Sequence, residues 1–140
     1  MRYIKLFEGF KEDVLEFTED HLAYLMDDGF EITTFFPAYS TLTYYGSHNY
    51  GGGCTKIAIV KRSGSMSQWN FTWEEIEDKF SPFIYMLNKQ YRILEIVFHQ
   101  NGGRQYQYDT RKDIEELLSG EADQYLTNNM ILMITIIVKE

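Results

Sequence analysis

The residues that could carry out covalent or metal chemistry are few in this 140-residue chain and lie far apart. Its histidines are His21, His48 and His99, and its only cysteine is Cys54. None forms a pair at the spacing of local zinc motifs, so we expect no metal and no cofactor, although distant residues could still assemble a site. Cys54 and His48 have the residue types of a thiol nucleophile and its base. Because glycines surround His48 and give it no fixed position, we interpret Cys54 as a small core residue.

The glycine-rich segments at 51–53 and 102–103 do not have the features of phosphate-binding loops. Neither contains the Lys-Ser/Thr of a P-loop, and a strand rather than a helix follows the first. Neighbouring carboxylates such as Glu74 and Glu75 lie at a predicted helix start, where acids interact favourably with the helix dipole. We therefore predict no catalytic residues and do not expect the chain to be an enzyme.

Aromatic side chains give the strongest indication of a binding surface. Tyrosine and tryptophan supply rigid, amphipathic contact area at a low cost in conformational entropy. They cluster beside two predicted loops, and the expected binding residues are Tyr44, Tyr45, His48, Tyr50, Trp69 and Trp73. The alternative is that Trp73, with Phe71, packs against the start of a helix and Tyr44 faces the core.

The spacing of apolar residues predicts the elements that position these side chains. Steps of three and four predict a helix over 10–28, which Gly29 ends, and a second helix from Thr72. Thr72 and Glu75 fit a capping box, and Pro82 is expected to kink or restart the second helix. Thr110 is expected to cap a short third helix. Alternating or β-branched segments predict strands at 30–36, 40–45, 54–62, 93–99, 104–108 and 130–138.

The element order is therefore α-β-β-β-α-β-β-α-β, which predicts an α+β fold. We expect a mixed, mainly antiparallel sheet with two longer helices and one short helix packed on it. The regular β-α alternation of a doubly wound parallel sheet is missing. The segment 130–138 is apolar on both faces, which predicts a strand in the interior of the sheet.

Charge is concentrated near the start of the chain. The net charge is −8, and residues 8–31 hold nine acidic side chains and one basic one, Lys11. An acidic chain is repelled by phosphate backbones, so no nucleic-acid partner is expected. We interpret the acids as the solvated face of the first helix; a docking surface for a basic partner, or mimicry of nucleic acid, is the alternative. The apolar segment 130–138 is too short for a membrane-spanning helix, so no membrane partner is expected.

The first nine residues form a short cationic, amphipathic leader that ends in Leu6, Glu8 and Gly9. This ending resembles the capsid-targeting leaders of tailed-phage internal proteins, which a prohead protease cuts after the glutamate. The resemblance implies a processing site between Glu8 and Gly9. It also implies a removable leader at 1–8, followed by a single α+β domain at 9–140.

A wider pattern is similar to a group of small tailed-phage proteins that have no assigned activity. The shared features are an Ile-Lys-Leu-Phe-Glu start, an acidic helix ending in Asp-Gly-Phe, and a strand of alternating Ile and Lys. In this chain they correspond to Ile4–Glu8, Asp28–Phe30 and Lys56–Lys61. The resemblance implies a phage protein found in the host cytoplasm or in the virion.

The expected function is that of a non-enzymatic phage accessory protein that binds a host or phage protein, for example to inhibit host defence. One alternative is a small-ligand or nucleotide binder, or an enzyme, that uses the Tyr44–Tyr50 loop. The other is a structural virion component, which would form a homo-oligomer through pairing of an edge strand such as 40–45.

Overall fold

A five-stranded antiparallel sheet with helices on one of its faces forms the described part of the protein. The computed structural model describes residues 2–35, 54–62, 69–100, 105–108, 111–118, 126–127 and 130–139. For residues 2–8, 105–108 and 111–113 the description covers the backbone only. In chain order, the helices and strands are α1 (Arg2–His21), α2 (Ala23–Asp27), β1 (Phe30–Phe35), β2 (Cys54–Lys61), α3 (Trp73–Gln90), β3 (Arg92–Gln100), β4 (Gln105–Tyr108), α4 (Arg111–Leu118) and β5 (Ile131–Lys139).

These elements confirm the predicted α+β class, with helices and strands close to their expected places. Every strand pair in the described sheet is antiparallel. The strand predicted at 40–45 and the cap predicted at Thr110 lie outside the described residues.

The last described strand lies in the middle of the sheet, whose order is β1-β2-β5-β3-β4. This confirms the interior position predicted for residues 130–138. Because β5 is antiparallel to both β2 and β3, those two strands run parallel to each other, and α3 provides the crossover between them. Phe71 adds a short bridge at the start of β5: its N–H donates to the carbonyl of Ile131 (3.0 Å), and the N–H of Ile131 donates to its carbonyl (2.7 Å).

The main core lies between the helices and one face of the sheet. Alternate residues of β2, β5 and β3 stand side by side there, in the rows Ile57–Ile136–Ile96 and Ile59–Ile134–Phe98. All six are buried and pack with the apolar stripes of α1 and α3, which contribute Phe10, Val14, Trp73, Ile76, Phe80, Phe83, Ile84 and Leu87. Burying one large apolar side chain stabilises the fold by about 1.5–3 kcal/mol, so this face carries most of the stability.

The first helix differs from its prediction at both ends. The prediction has one helix over 10–28. The observed helix begins earlier, at Arg2, and ends earlier, at His21. At the break, the Nδ1 of His21 donates to the carbonyl of Phe17 (2.8 Å), and the two rings stack with centroids 4.1 Å apart. The short helix α2 follows. Gly29 then takes a φ of 93°, as expected for a left-handed helix stop.

Helix α3 begins with the predicted capping box. The N–H of Glu75 donates to the Oγ1 of Thr72 (3.2 Å), and the N–H of Thr72 donates to the Glu75 carboxylate (3.0 Å). The expected restart at Pro82 is wrong, because the helix is continuous to Gln90. Pro82 and Asp78 are both exposed, so water can reach the Asp78 carbonyl that the proline cannot hydrogen-bond.

We predict that Thr72→Ala lowers the free energy of unfolding by about 1 kcal/mol, because it removes the side-chain acceptor of the Glu75 N–H. Thr72→Ser keeps that acceptor and should stay within a few tenths of a kcal/mol of the wild type. Urea unfolding followed by tryptophan fluorescence measures both. Equal losses in the two variants would contradict a role for the cap.

Candidate functional site

The face of the sheet opposite the helices carries a mixture of polar and apolar side chains. The strand registers arrange them in three rows across β1, β2, β5 and β3: Phe35–Lys56–Ile137–Glu95, Thr33–Ala58–Thr135–Val97 and Glu31–Val60–Met133–His99. We call this surface the second face. Lys56 comes from β2 and Glu95 and His99 come from β3, and β5 lies between these two strands.

An irregularity in β3 determines which side chains reach the second face. The pairing with β5 shifts between Ile93 and Glu95, so both Ile93 and Leu94 lie opposite Val138. Such a bulge reverses the alternation of the strand. Ile93 therefore belongs to the core under the helices, whereas Glu95 lies in one row with Lys56 on the other side.

The charge of Glu95 acts on Lys56, and the charge of Lys56 acts on His99. Glu95 is completely buried, and His99 is partly buried with its Nε2 3.2 Å from the Oγ1 of Thr135. Burial lowers the pKa of Lys56, while the nearby Glu95 carboxylate acts in the opposite direction. Burial also lowers the pKa of His99, and the positive charge of Lys56 lowers it further. A neutral imidazole and a partly desolvated amine are groups that can exchange protons or bind a ligand.

The other chemically reactive side chain on this face is the thiol of Cys54. It is buried at the start of β2 and contacts Ile137. Burial raises its pKa, which disfavours the thiolate that a nucleophile requires. Within the described ranges, no three His, Cys, Asp or Glu side chains are close enough to hold a metal ion.

The solvent side of the helices forms a contrasting surface, which we call the outer helical surface. Its exposed acidic residues on α1 and α3 are Glu12, Asp13, Glu16, Asp20, Glu74, Glu75 and Asp78. Tyr24 is 70% exposed, and the Nζ of Lys79 lies 4.8 Å from the centre of its ring. Pro82 and Met86 continue the exposed side of α3 from Lys79 at steps of three and four residues.

The aromatic residues predicted to bind a partner do not form one described surface. Tyr44, Tyr45, His48 and Tyr50 lie outside the described residues. Trp69 is partly exposed, and the guanidinium of Arg62 is 5.5 Å from its ring centre.

Trp73 is only 2% exposed and packs edge-on against Phe80 and Phe98. Its assignment to an exposed binding surface is therefore corrected: Trp73 belongs to the core. The alternative raised from the sequence, in which it packs at the helix start, describes its place correctly.

The predicted processing residues Leu6, Glu8 and Gly9 lie within α1. His99 lies half-buried among the groups of the second face. Lys56 and Glu95 were not predicted as site residues. A charge inside each of two otherwise apolar strands was the available signal, but it did not indicate that the two would share one row of the sheet.

Comparison of the chain with protein-family models, curated proteins and solved structures gave no match. None of the described helices is both long enough and apolar enough to cross a bilayer.

We predict that the protein becomes less stable as the pH is lowered, and that protonation of His99 causes part of this loss. The buried imidazole has a lowered pKa in the folded state and its ordinary value near 6.5 when unfolded. Below about pH 6.5 the imidazole of the unfolded chain binds a proton more readily than that of the folded chain. The contribution of neutral His99 to the free energy of unfolding is therefore present above about pH 6.5 and is lost as the pH falls.

His99→Gln can keep a hydrogen bond to Thr135 but cannot be protonated. Its free energy of unfolding should therefore decrease less than that of the wild type between about pH 7 and about pH 5. Lys56, whose charge acts on His99, is unchanged in this variant. Urea unfolding at a series of pH values provides the comparison, and parallel curves for the two proteins would contradict the prediction.

Proposed function

We propose that this chain is a non-enzymatic phage accessory protein that acts by binding another protein through the outer helical surface. The observation that carries the proposal is the exposure of Tyr24, which is 70% accessible within a surface rich in acidic side chains. Tyrosine is enriched among the residues that contribute most to protein–protein binding. Three exposed acids precede Tyr24 at four-residue steps: Glu12, Glu16 and Asp20. A partner helix or loop could therefore contact all four side chains.

The charge of this surface favours a basic partner. Across residues 9–28 and α3, Lys11, Lys79 and Lys89 are the only lysines or arginines, against the acids named above and four others, Glu19, Asp27, Asp28 and Glu77. A field of one sign speeds the association of an oppositely charged protein and weakens as salt is added. A basic host or phage protein, encountered in the host cytoplasm, is the partner that this chemistry would select.

Packaging into the virion is the second part of the proposal. It is supported by the resemblance of Leu6, Glu8 and Gly9 to capsid-targeting leaders. Phe10 and Val14, two core residues of α1, follow the proposed cut and stay with the domain. Because this segment is helical, its first turns must open before a protease can bind it in extended form.

The two other functions considered from the sequence have less support. The Tyr44–Tyr50 loop and the 40–45 strand, on which a lid over a ligand or a homo-oligomer would depend, lie outside the described residues. Both alternatives therefore remain predictions from the sequence.

We predict that reversing charges on α1 abolishes partner binding. The immobilised wild-type chain should retain a specific protein from a host-cell lysate and release it when the salt concentration is raised. The triple variant Glu12→Lys, Glu16→Lys, Asp20→Lys should lose that protein, and Tyr24→Ala should weaken its binding by about tenfold or more.

A matched control changes two exposed acids of α4, with Glu115→Lys and Glu116→Lys. This variant should retain the partner as the wild type does. Equal retention by all the variants, or binding that does not depend on salt, would rule out the outer helical surface as the binding site.

We further predict that phage particles contain a chain that begins at Gly9, which intact-mass spectrometry of purified particles would detect. Gly9→Ala should slow cleavage by the purified prohead protease by about two- to fivefold, because alanine stabilises a helix interior by about 0.5–1 kcal/mol relative to glycine. Alanine is also small, and a Cβ at this position meets no atom within 4 Å. A full-length chain in the particles would contradict processing.

A further inference from the structure

A cleft of about 300 Å³ opens on the second face, above β1, β2 and β5. Its volume is at the lower end of the range of small-molecule sites. The described residues that line it are Thr33, Phe35, Lys56, Ala58, Val60, Arg62, Met133 and Thr135. No carboxylate is among these lining residues, whereas two of them are cationic.

The described residues leave the ammonium group of Lys56 with capacity to bind a ligand. Its Nζ lies 5.3 Å from the centre of the Phe35 ring, and the side chain is partly buried. Among the residues that the structure describes, none lies within ion-pair distance of this Nζ, and the influence of Glu95 acts over a longer range. An ammonium group offers three hydrogen-bond donors, and desolvating it without an acceptor is costly.

The rest of the cleft lining combines apolar and polar side chains, which suits a ligand that is itself amphipathic. Phe35, Val60 and Met133 provide apolar walls, while Thr33 and Thr135 provide hydroxyl groups. Arg62, at the end of β2, pairs with Glu31 at 3.4 Å, but both side chains are more than half exposed, so this pair is weak.

We propose that this cleft binds a small amphipathic anion, in which a phosphate or carboxylate head contacts Lys56 and an aromatic or short alkyl body lies between Phe35, Val60 and Met133. The bound head would supply the acceptors that the Lys56 ammonium lacks among the described residues. It would also offset the burial that lowers the pKa of Lys56, since a nearby negative charge favours the protonated amine. Arg62 at the rim would attract the anion as it enters.

This site is separate from the surface proposed for protein binding. The cleft lies on the second face, whereas Tyr24 and the exposed acids lie on the helices across the sheet. Either proposal can therefore fail while the other stands.

Strand β2 offers a matched control for Lys56. Lys61 lies on the same strand, and its Nζ is 5.7 Å from the centre of the Phe30 ring, opposite Phe30 in the register as Lys56 is opposite Phe35. Lys61 is on the other side of the strand, however, and does not line the cleft. Lys56→Met and Lys61→Met thus remove the same charge and the same kind of contact from opposite faces.

The experiment titrates the full chain with phenyl phosphate, with inorganic phosphate and with benzyl alcohol, and follows backbone amide shifts by NMR together with calorimetry. Phenyl phosphate should bind more tightly than either of the other probes. Its binding should shift the amide signals of Lys56, Ala58 and Thr135. Lys56→Met should weaken this binding by about tenfold, as expected for the loss of a charge-assisted hydrogen bond, while Lys61→Met should leave it within about twofold.

A further variant covers the case in which Lys56→Met does not fold. Lys56→Arg keeps the charge and should retain binding, which should weaken as salt is added. The proposal is overturned if phenyl phosphate causes no shifts around the cleft, if both methionine variants bind equally, or if benzyl alcohol binds as well as phenyl phosphate.

Discussion

Strand β5 is the constraint on which the rest of the fold depends. Its backbone pairs with β2 on one side and β3 on the other, so it alone joins the β1–β2 pair to the β3–β4 pair in the described sheet. Ile134 and Ile136 extend into the core under the helices, while Thr135 and Ile137 belong to the second face. Residues 134–138 are all buried, on both faces of the strand, which is consistent with the nearly continuous apolar sequence of β5.

The central sheet also separates two chemically different surfaces. The helices present acidic side chains and an exposed tyrosine to solvent, whereas the cleft beyond the sheet is lined by cations and hydroxyl groups. The charges on the two surfaces differ in sign, so the ligands proposed for them differ in charge as well. The sheet between them would keep the surface proposed for a basic protein apart from the cleft proposed for an anion.

Features set by local sequence were the ones that could be predicted. The α+β class, the capping box at Thr72, the stop at Gly29 and the interior position of β5 each follow from nearby residue types. The placement of Lys56 and Glu95 in one row on the same face could not be foreseen, because it depends on the strand order and on a bulge at the start of β3. The burial of Trp73 likewise depends on Phe98, a partner from another element.

The position of β5 has a consequence for synthesis of the chain on the ribosome. Translation completes β2 and β3 well before residues 131–139 emerge, so the nascent polypeptide carries two half-sheets whose inner edges have no strand between them. Because β2 and β3 both expose unpaired backbone groups at that stage, they can pair with each other or with a neighbouring nascent chain. Shielding by a chaperone would protect these edges until β5 is inserted.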